Sequence, residues 1–204
     1  IGALTDSVNE VMEKFGFPLH GPEDYKKKVG NGFKKLVERS LPEDARDEKT
    51  IDDAVAVFVE AYDRRYLDKT APYEGILELL AKLCEKGIAL GVNSNKRSDY
   101  TNALIEKFFA HIPFVDVFGE REGIPKKPDP AGALELLKLM GLKKDEVLYI
   151  GDSDTDMLTG KNAGLDTVGV SWGFRGREEL EAYGGTFVVD RPEEILGLLE
   201  RSEQ

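Results

Sequence analysis

The feature that most constrains this chain is a rhythm that sets in after Pro72. Short, continuous apolar runs recur at Ile88–Val92, Val115–Phe118, Val147–Ile150, Thr167–Val170 and Phe187–Val189. Runs that are apolar at successive positions, rather than at every second one, read as strands buried on both faces. Helical stretches lie between them. Ile76, Leu79, Leu80, Leu83 and Cys84 define one, closed by Gly87; others are read over Ser98–Ala110, Ala131–Met140, Asp154–Ala163, Glu178–Tyr183 and Pro192–Glu200. Strand and helix in alternation predict a doubly wound, Rossmann-like parallel sheet with helices on both faces, an α/β fold.

Before Thr70 the pattern is helical only. Val8, Val11, Met12 and Phe15 recur at helical spacing, Gly16 stops that helix and Pro18 prevents its resumption. Further helices are expected over Lys34–Leu41 and Ile51–Tyr66, the latter with Thr50 and Asp53 as a variant capping box. The stretch Thr70–Gly75 is punctuation, so the chain divides into a helical domain, 1–70, and an α/β core, 71–204.

Composition narrows the function classes. With 204 residues, 41% of them apolar, the chain can bury a core of its own. No apolar run approaches the roughly 20 residues that span a bilayer. A net charge of −11 argues against nucleic acid and against anionic membrane surfaces as partners, but leaves room for a small anionic substrate at a local positive site. A single cysteine, Cys84, permits no intrachain disulfide and suits a reducing, cytoplasmic setting. His20 and His111 fall in no metal-ligand or catalytic pattern.

In a doubly wound sheet, ligands bind outside the carboxyl ends of the strands. Three of those ends carry unusual groups. In Val92-Asn93-Ser94-Asn95-Lys96, the Ser94 hydroxyl and the amides that follow can face an anion at a helix start, or Ser94 can be an ordinary N-cap. In Gly123–Pro130, prolines bracket Lys127 and stiffen the chain around a cation suited to neutralising phosphate; the alternative is a surface loop with a lysine pair. In Gly151-Asp152-Ser153-Asp154-Thr155-Asp156, carboxylates crowd the end of a buried strand. Asp152 and Asp156, four apart, can face one side as a helix begins. Oxygen ligands of this kind suit Mg²⁺, though acidic residues also simply suit a helix N-terminus.

Taken in order, Ser94, Lys127 and the GDSxxD run from Gly151 resemble the second, third and fourth motifs of the haloacid dehalogenase superfamily. Ser171-Trp172-Gly173-Phe174-Arg175, Thr70–Gly75 and Val29-Gly30-Asn31-Gly32 resemble its phosphoglycolate phosphatase-like branch. The resemblance implies a Mg²⁺-dependent phosphatase for a small phosphomonoester, in which Ser94 binds the phosphoryl oxygens with help from Asn95. Lys127 would bridge phosphate and nucleophile, Asp152 would ligate Mg²⁺ directly and Asp156 through water. The helical domain would be a cap, its Gly30-Asn31-Gly32 loop touching the substrate's leaving group; that loop also reads as a plain helix-start turn. A monomer or homodimer is expected.

One family element is missing from Ile1 onward. The first motif, an apolar strand ending in DxDx(T/V), supplies the nucleophilic aspartate, and neither Ile1–Ser7 nor Val189-Asp190-Arg191-Pro192 matches it. The resemblance places that strand between those starting near Ile88 and Val147, upstream of Ile1 in sequence. This chain alone is therefore expected to be inactive and poorly stable, with a wide gap between those two strands. A phosphomutase on the same site, and a non-catalytic binding protein without the nucleophile, are the competing readings.

Overall fold

The computed structural model describes residues 1–201, in two compact units, Ile1–Ala71 and Pro72 onward. The first is helical: α1 (Gly2–Phe15), α2 (Pro22–Lys26), α3 (Phe33–Ser40) and α4 (Glu48–Asp63). Gly16, at φ 73°, takes the left-handed conformation that ends α1. Val8, Val11, Met12, Ala54 and Phe58 are fully buried, and the Phe33 ring meets Phe58 edge-on at 4.9 Å and Tyr62 at 5.1 Å. The α4 cap differs from the expected Thr50. Asp47 holds that position and accepts from the Thr50 amide at 3.0 Å, so the helix begins at Glu48 and Thr50 lies inside it.

The second unit contains α5 (Ile76–Glu85), β1 (Leu90–Arg97), α6 (Ser98–Phe109), β2 (Phe114–Glu120), α7 (Ala131–Met140), β3 (Leu148–Gly151), α8 (Asp154–Ala163), β4 (Asp166–Val170), α9 (Arg177–Ala182), β5 (Phe187–Val189) and α10 (Glu193–Arg201). All strand pairs are parallel. Among the described residues no helix is long and apolar enough to cross a membrane.

The strands form two half-sheets rather than one. β1 pairs with β2, Val92 opposite Val117; β3, β4 and β5 form the other, Ile150 opposite Val168 and Gly169 opposite Val188. Between β1 and β3 lies a largely apolar cavity of about 420 Å³. Leu90, Gly91, Asn93 and Leu148–Ile150 line it from the strands, with Leu136 and Met140 of α7 and Ile195 and Leu199 of α10.

Burial follows this arrangement. β4, paired on both sides, is buried from Thr167 through Val170. No residue of β3, paired on one side, is buried, and Ile150 stays 42% exposed at the cavity. A parallel strand normally loses both faces and both edges to the protein. The inner edges of β1 and β3 therefore hold backbone groups for which neither half-sheet supplies a ladder.

A pair of truncations reads out this difference. Leu180→Ala, at a fully buried position, is expected to cost about 2–5 kcal/mol in urea unfolding. Ile150→Ala is expected to cost less than about 1 kcal/mol, because most of its lost contact is with the cavity. Equal losses would mean that the cavity closes in solution.

Candidate active site

The carboxyl ends of both half-sheets carry the polar groups singled out above. Lys127, in the loop after β2, reaches Asp156 in the first turn of α8: its Nζ lies 2.7 Å from Oδ1, with the two side chains 14% and 8% exposed. Burial works against both charges, but each is outweighed by the other. The Asp156 carboxyl lies below the usual carboxylate range and the Lys127 ammonium above the usual lysine range.

Asp156 is further tied down. Its Oδ2 accepts from Ser153 Oγ at 2.6 Å and from the Asp152 amide at 3.2 Å, while Ser153 caps α8 by accepting from the Asp156 amide. Gly151 makes this closeness feasible, since a Cβ there would land on the Asp156 side chain.

Asp152 lies at the end of β3. Burial, and then the charge of Asp156, push its carboxyl up to about 6. One ammonium stands against two carboxylates, so the cluster holds surplus negative charge in a poorly solvated place. The Phe174 amide donates to Asp152 Oδ2 at 3.1 Å. Gly173 lies so close to the same side chain that a Cβ would overlap it.

Asn95 is 9% exposed and pairs with the Lys127 main chain in both directions: its Nδ2 donates to the Lys127 carbonyl at 3.0 Å, and the Lys127 amide donates to its Oδ1 at 2.8 Å. On the next residue, the Pro128 carbonyl accepts from Asn162 Nδ2 at 2.9 Å. The loop carrying Lys127 is thus fixed at two successive residues, while its ammonium is fixed by Asp156.

Ser94 shares a small crevice with Asn95 and Lys127, and its Oγ accepts from the Lys96 amide at 3.1 Å. It is not an N-cap. β1 continues through Arg97 and α6 starts only at Ser98, so the hydroxyl sits within the strand end rather than at a helix terminus.

Lys127, Asp156, Asp152 and Asn95 are thus linked through contacts, with Ser94 beside them. Gly30, Asn31 and Gly32 belong to the helical unit. Gly32 caps α3 at φ 87° and its carbonyl accepts from Leu36, which is the helix-start turn left open by the sequence.

Among the described residues no group of three or more His, Cys, Asp or Glu forms a complete cation cage. Asp156 is committed to Lys127. Asp152 has one oxygen on the Phe174 amide and a carboxyl held up by burial and then by the Asp156 charge, which suits it as one ligand of a divalent cation completed by others. The donor chemistry therefore fits Mg²⁺ as part of a site. Phe174 and Arg175 lie in a run that carries only a family resemblance in sequence, without a role: Phe174 acts through its amide, and Arg175 reaches both Glu179, four residues on, and Asp154, far back in sequence.

The model of the family described as haloacid dehalogenase-like hydrolase matches residues 2–170. The chain belongs to the haloacid dehalogenase-like hydrolases. Within that family it resembles phosphoglycolate phosphatases: that of Psychrobacter arcticus is 32% identical over 92% of this chain and 84% of its own length. That of Rhodospirillum rubrum is 33% identical over 92% and 80%. A crystal structure from Lactobacillus delbrueckii subsp. bulgaricus superposes with a TM-score of 0.92 at 30% identity, over 97% of this chain and 91% of that one. A haloacid dehalogenase-like hydrolase from Streptococcus pneumoniae, 18% identical with a TM-score of 0.84 over 96% and 90%, shares the fold.

The raised carboxyl of Asp152 in this cluster has a measurable consequence. A carboxyl whose folded pKa is raised contributes stability below its unfolded value of 3.8 and loses it as pH climbs through about 6. Asp152→Asn should therefore stabilise the chain at pH 7.5 by about 1–2 kcal/mol in metal-free buffer, a discounted share of the roughly 1.4 kcal/mol per pH unit for a carboxylate that is only partly buried. The gain should shrink towards pH 4. A variant less stable than the parent at pH 7.5 would contradict this electrostatic reading.

Proposed function

We propose that this chain forms most of a Mg²⁺-dependent phosphatase for a small phosphomonoester, working through an aspartyl-phosphate. The nucleophilic aspartate would lie on a strand that fills the cavity between β1 and β3. Phosphoglycolate is the favoured substrate, because the relatives named above are phosphoglycolate phosphatases.

One observation carries the reading. The cavity is bounded by β1 and β3, each laddered in parallel on its outer side only, and its rim at Asn93 and Ile150 lies one and two residues short of Ser94 and Asp152. A parallel strand threaded there would deliver its carboxyl-terminal residue beside Lys127 and Asp152. The Ser94 hydroxyl would donate to a phosphoryl oxygen. The Lys127 ammonium, already held by Asp156 and Asn95, would balance charge between the incoming carboxylate and the transferring group.

A carboxylate oxygen bonds to phosphorus as the ester P–O bond breaks and the leaving oxygen takes a proton from a neighbouring acid. Water then attacks the acyl phosphate, releasing inorganic phosphate and restoring the carboxylate. Mg²⁺, held in part by Asp152, would supply charge neutralisation at the phosphoryl oxygens.

The test is p-nitrophenyl phosphate hydrolysis by the chain with and without a synthetic apolar peptide ending in DxDGT. Turnover is expected only with that peptide, and not when its first Asp is Asn. Lys127→Ala should lower the peptide-dependent kcat by about 10²-fold or more. Strong turnover by the chain alone would refute the proposal. A peptide that raises the melting temperature yet restores no turnover would favour a non-catalytic binding protein.

A further inference from the structure

The loop between β4 and α9, Ser171–Gly176, carries the chain's single tryptophan, Trp172. It is fastened at Arg175, whose side chain is only 8% exposed. Nε lies 2.9 Å from Glu179 Oε1 on α9 and 3.5 Å from Asp154 Oδ1 in the first turn of α8. The Arg175 amide donates to the Asp152 carbonyl at 3.0 Å. Immediately before it come the two backbone elements already found against the Asp152 side chain: the Phe174 amide on Oδ2, and Gly173, where a Cβ would overlap that side chain.

Burying a guanidinium is costly unless it is paired, and here its carboxylates come from two different helices. The arrangement acts as a clasp. It joins α8 to α9 and presses the intervening loop onto the end of β3.

We propose that Arg175 is a positioning residue: clasped by Asp154 and Glu179, it holds the Phe174 amide on Asp152 and so fixes the rotamer in which Asp152 meets a divalent cation. The inference rests on the metal reading given above. Residues that orient a metal-ligating carboxylate by hydrogen bonding commonly govern metal affinity about 10- to 100-fold. Arg175 touches neither phosphate nor cation in this scheme.

Calorimetric titration of MgCl₂ into the chain saturated with the DxDGT-terminated peptide gives affinity, while Trp172 emission reports on the loop. Arg175→Met should weaken Mg²⁺ binding about tenfold or more and shift Trp172 emission to the red even without metal. Arg175→Lys should recover part of the affinity. Glu179→Gln, at the outer side of the clasp, should weaken binding by a smaller factor with the melting temperature little changed. A purely structural role would lower the melting temperature without moving Mg²⁺ affinity.

If the parent binds Mg²⁺ and Asp152→Asn does not, yet Arg175→Met, Arg175→Lys and Glu179→Gln all bind like the parent, the role of Arg175 is overturned and the metal site stands. If parent and Asp152→Asn both fail to bind, the metal reading falls and this inference with it. Should Arg175→Met not fold, the Lys and Gln variants decide.

Discussion

The ion pair between Lys127 and Asp156 is the interaction on which the rest of the α/β unit depends. At 2.7 Å and nearly out of solvent, it ties the loop after β2 to the helix after β3, and so links two half-sheets that share no ladder. Removing either partner would strand a buried charge, a loss of about 3–5 kcal/mol. Two neutral contacts reinforce the link. Asn93 Nδ2 donates to the Tyr149 hydroxyl at 3.0 Å, from β1 to β3, and Asn162 of α8 holds the Pro128 carbonyl. The ion pair and the Asn162 contact lie beyond the carboxyl ends of the strands, whereas the Asn93–Tyr149 bond crosses from β1 to β3 at mid-strand.

This explains how an ordered polar site coexists with an open core. The carboxyl-terminal rim is closed by charge and hydrogen bonds, whereas the body between β1 and β3 is an apolar cavity with open strand edges. Hydrophobic contact alone would favour collapse of such a gap. The helices resist it: α5 and α10 pack on the face that includes Val168 and Val189, and α7 and α8 enclose Ala133, Ala163 and Leu165. The unusual state of Asp152 has its own cause: burial above all, and then the neighbouring Asp156 charge, hold its carboxyl up. The structural opening and the electrostatic deficit lie at neighbouring places, and the proposed strand and cation would satisfy them together.

Much of this was legible in the sequence because strand ends in an α/β fold are where polar residues stand out against apolar runs. Lys127, Asp152 and Asp156 stand out in that way, and the structure brings them into one polar cluster. Other features were not legible, for definite reasons. β1 runs on through Asn95 and Arg97 because its ladder with β2 continues past the apolar residues, so Ser94 belongs to a strand end, and of the two readings open in sequence the helix cap is excluded. Asn95, read from the resemblance as an aid to phosphate binding, has its amide paired with the Lys127 backbone, a role that its sequence position does not reveal. Asp47 outcompetes Thr50 as the α4 cap because the Thr50 amide and hydroxyl both donate to it. The support of Asp152 by the Phe174 amide has no side-chain signature, and Arg175 becomes meaningful only when α8 and α9 are brought side by side.

The central claim is that the cavity between β1 and β3 is a strand site whose end completes the polar cluster. The most direct measurement is a crystal structure of the chain with the DxDGT-terminated peptide. The account requires the peptide as a parallel strand about 4.8 Å from both β1 and β3, with its terminal carboxylates beside Lys127 and Asp152. Direct pairing of β1 with β3, or a peptide bound elsewhere with the cavity unchanged, would contradict it.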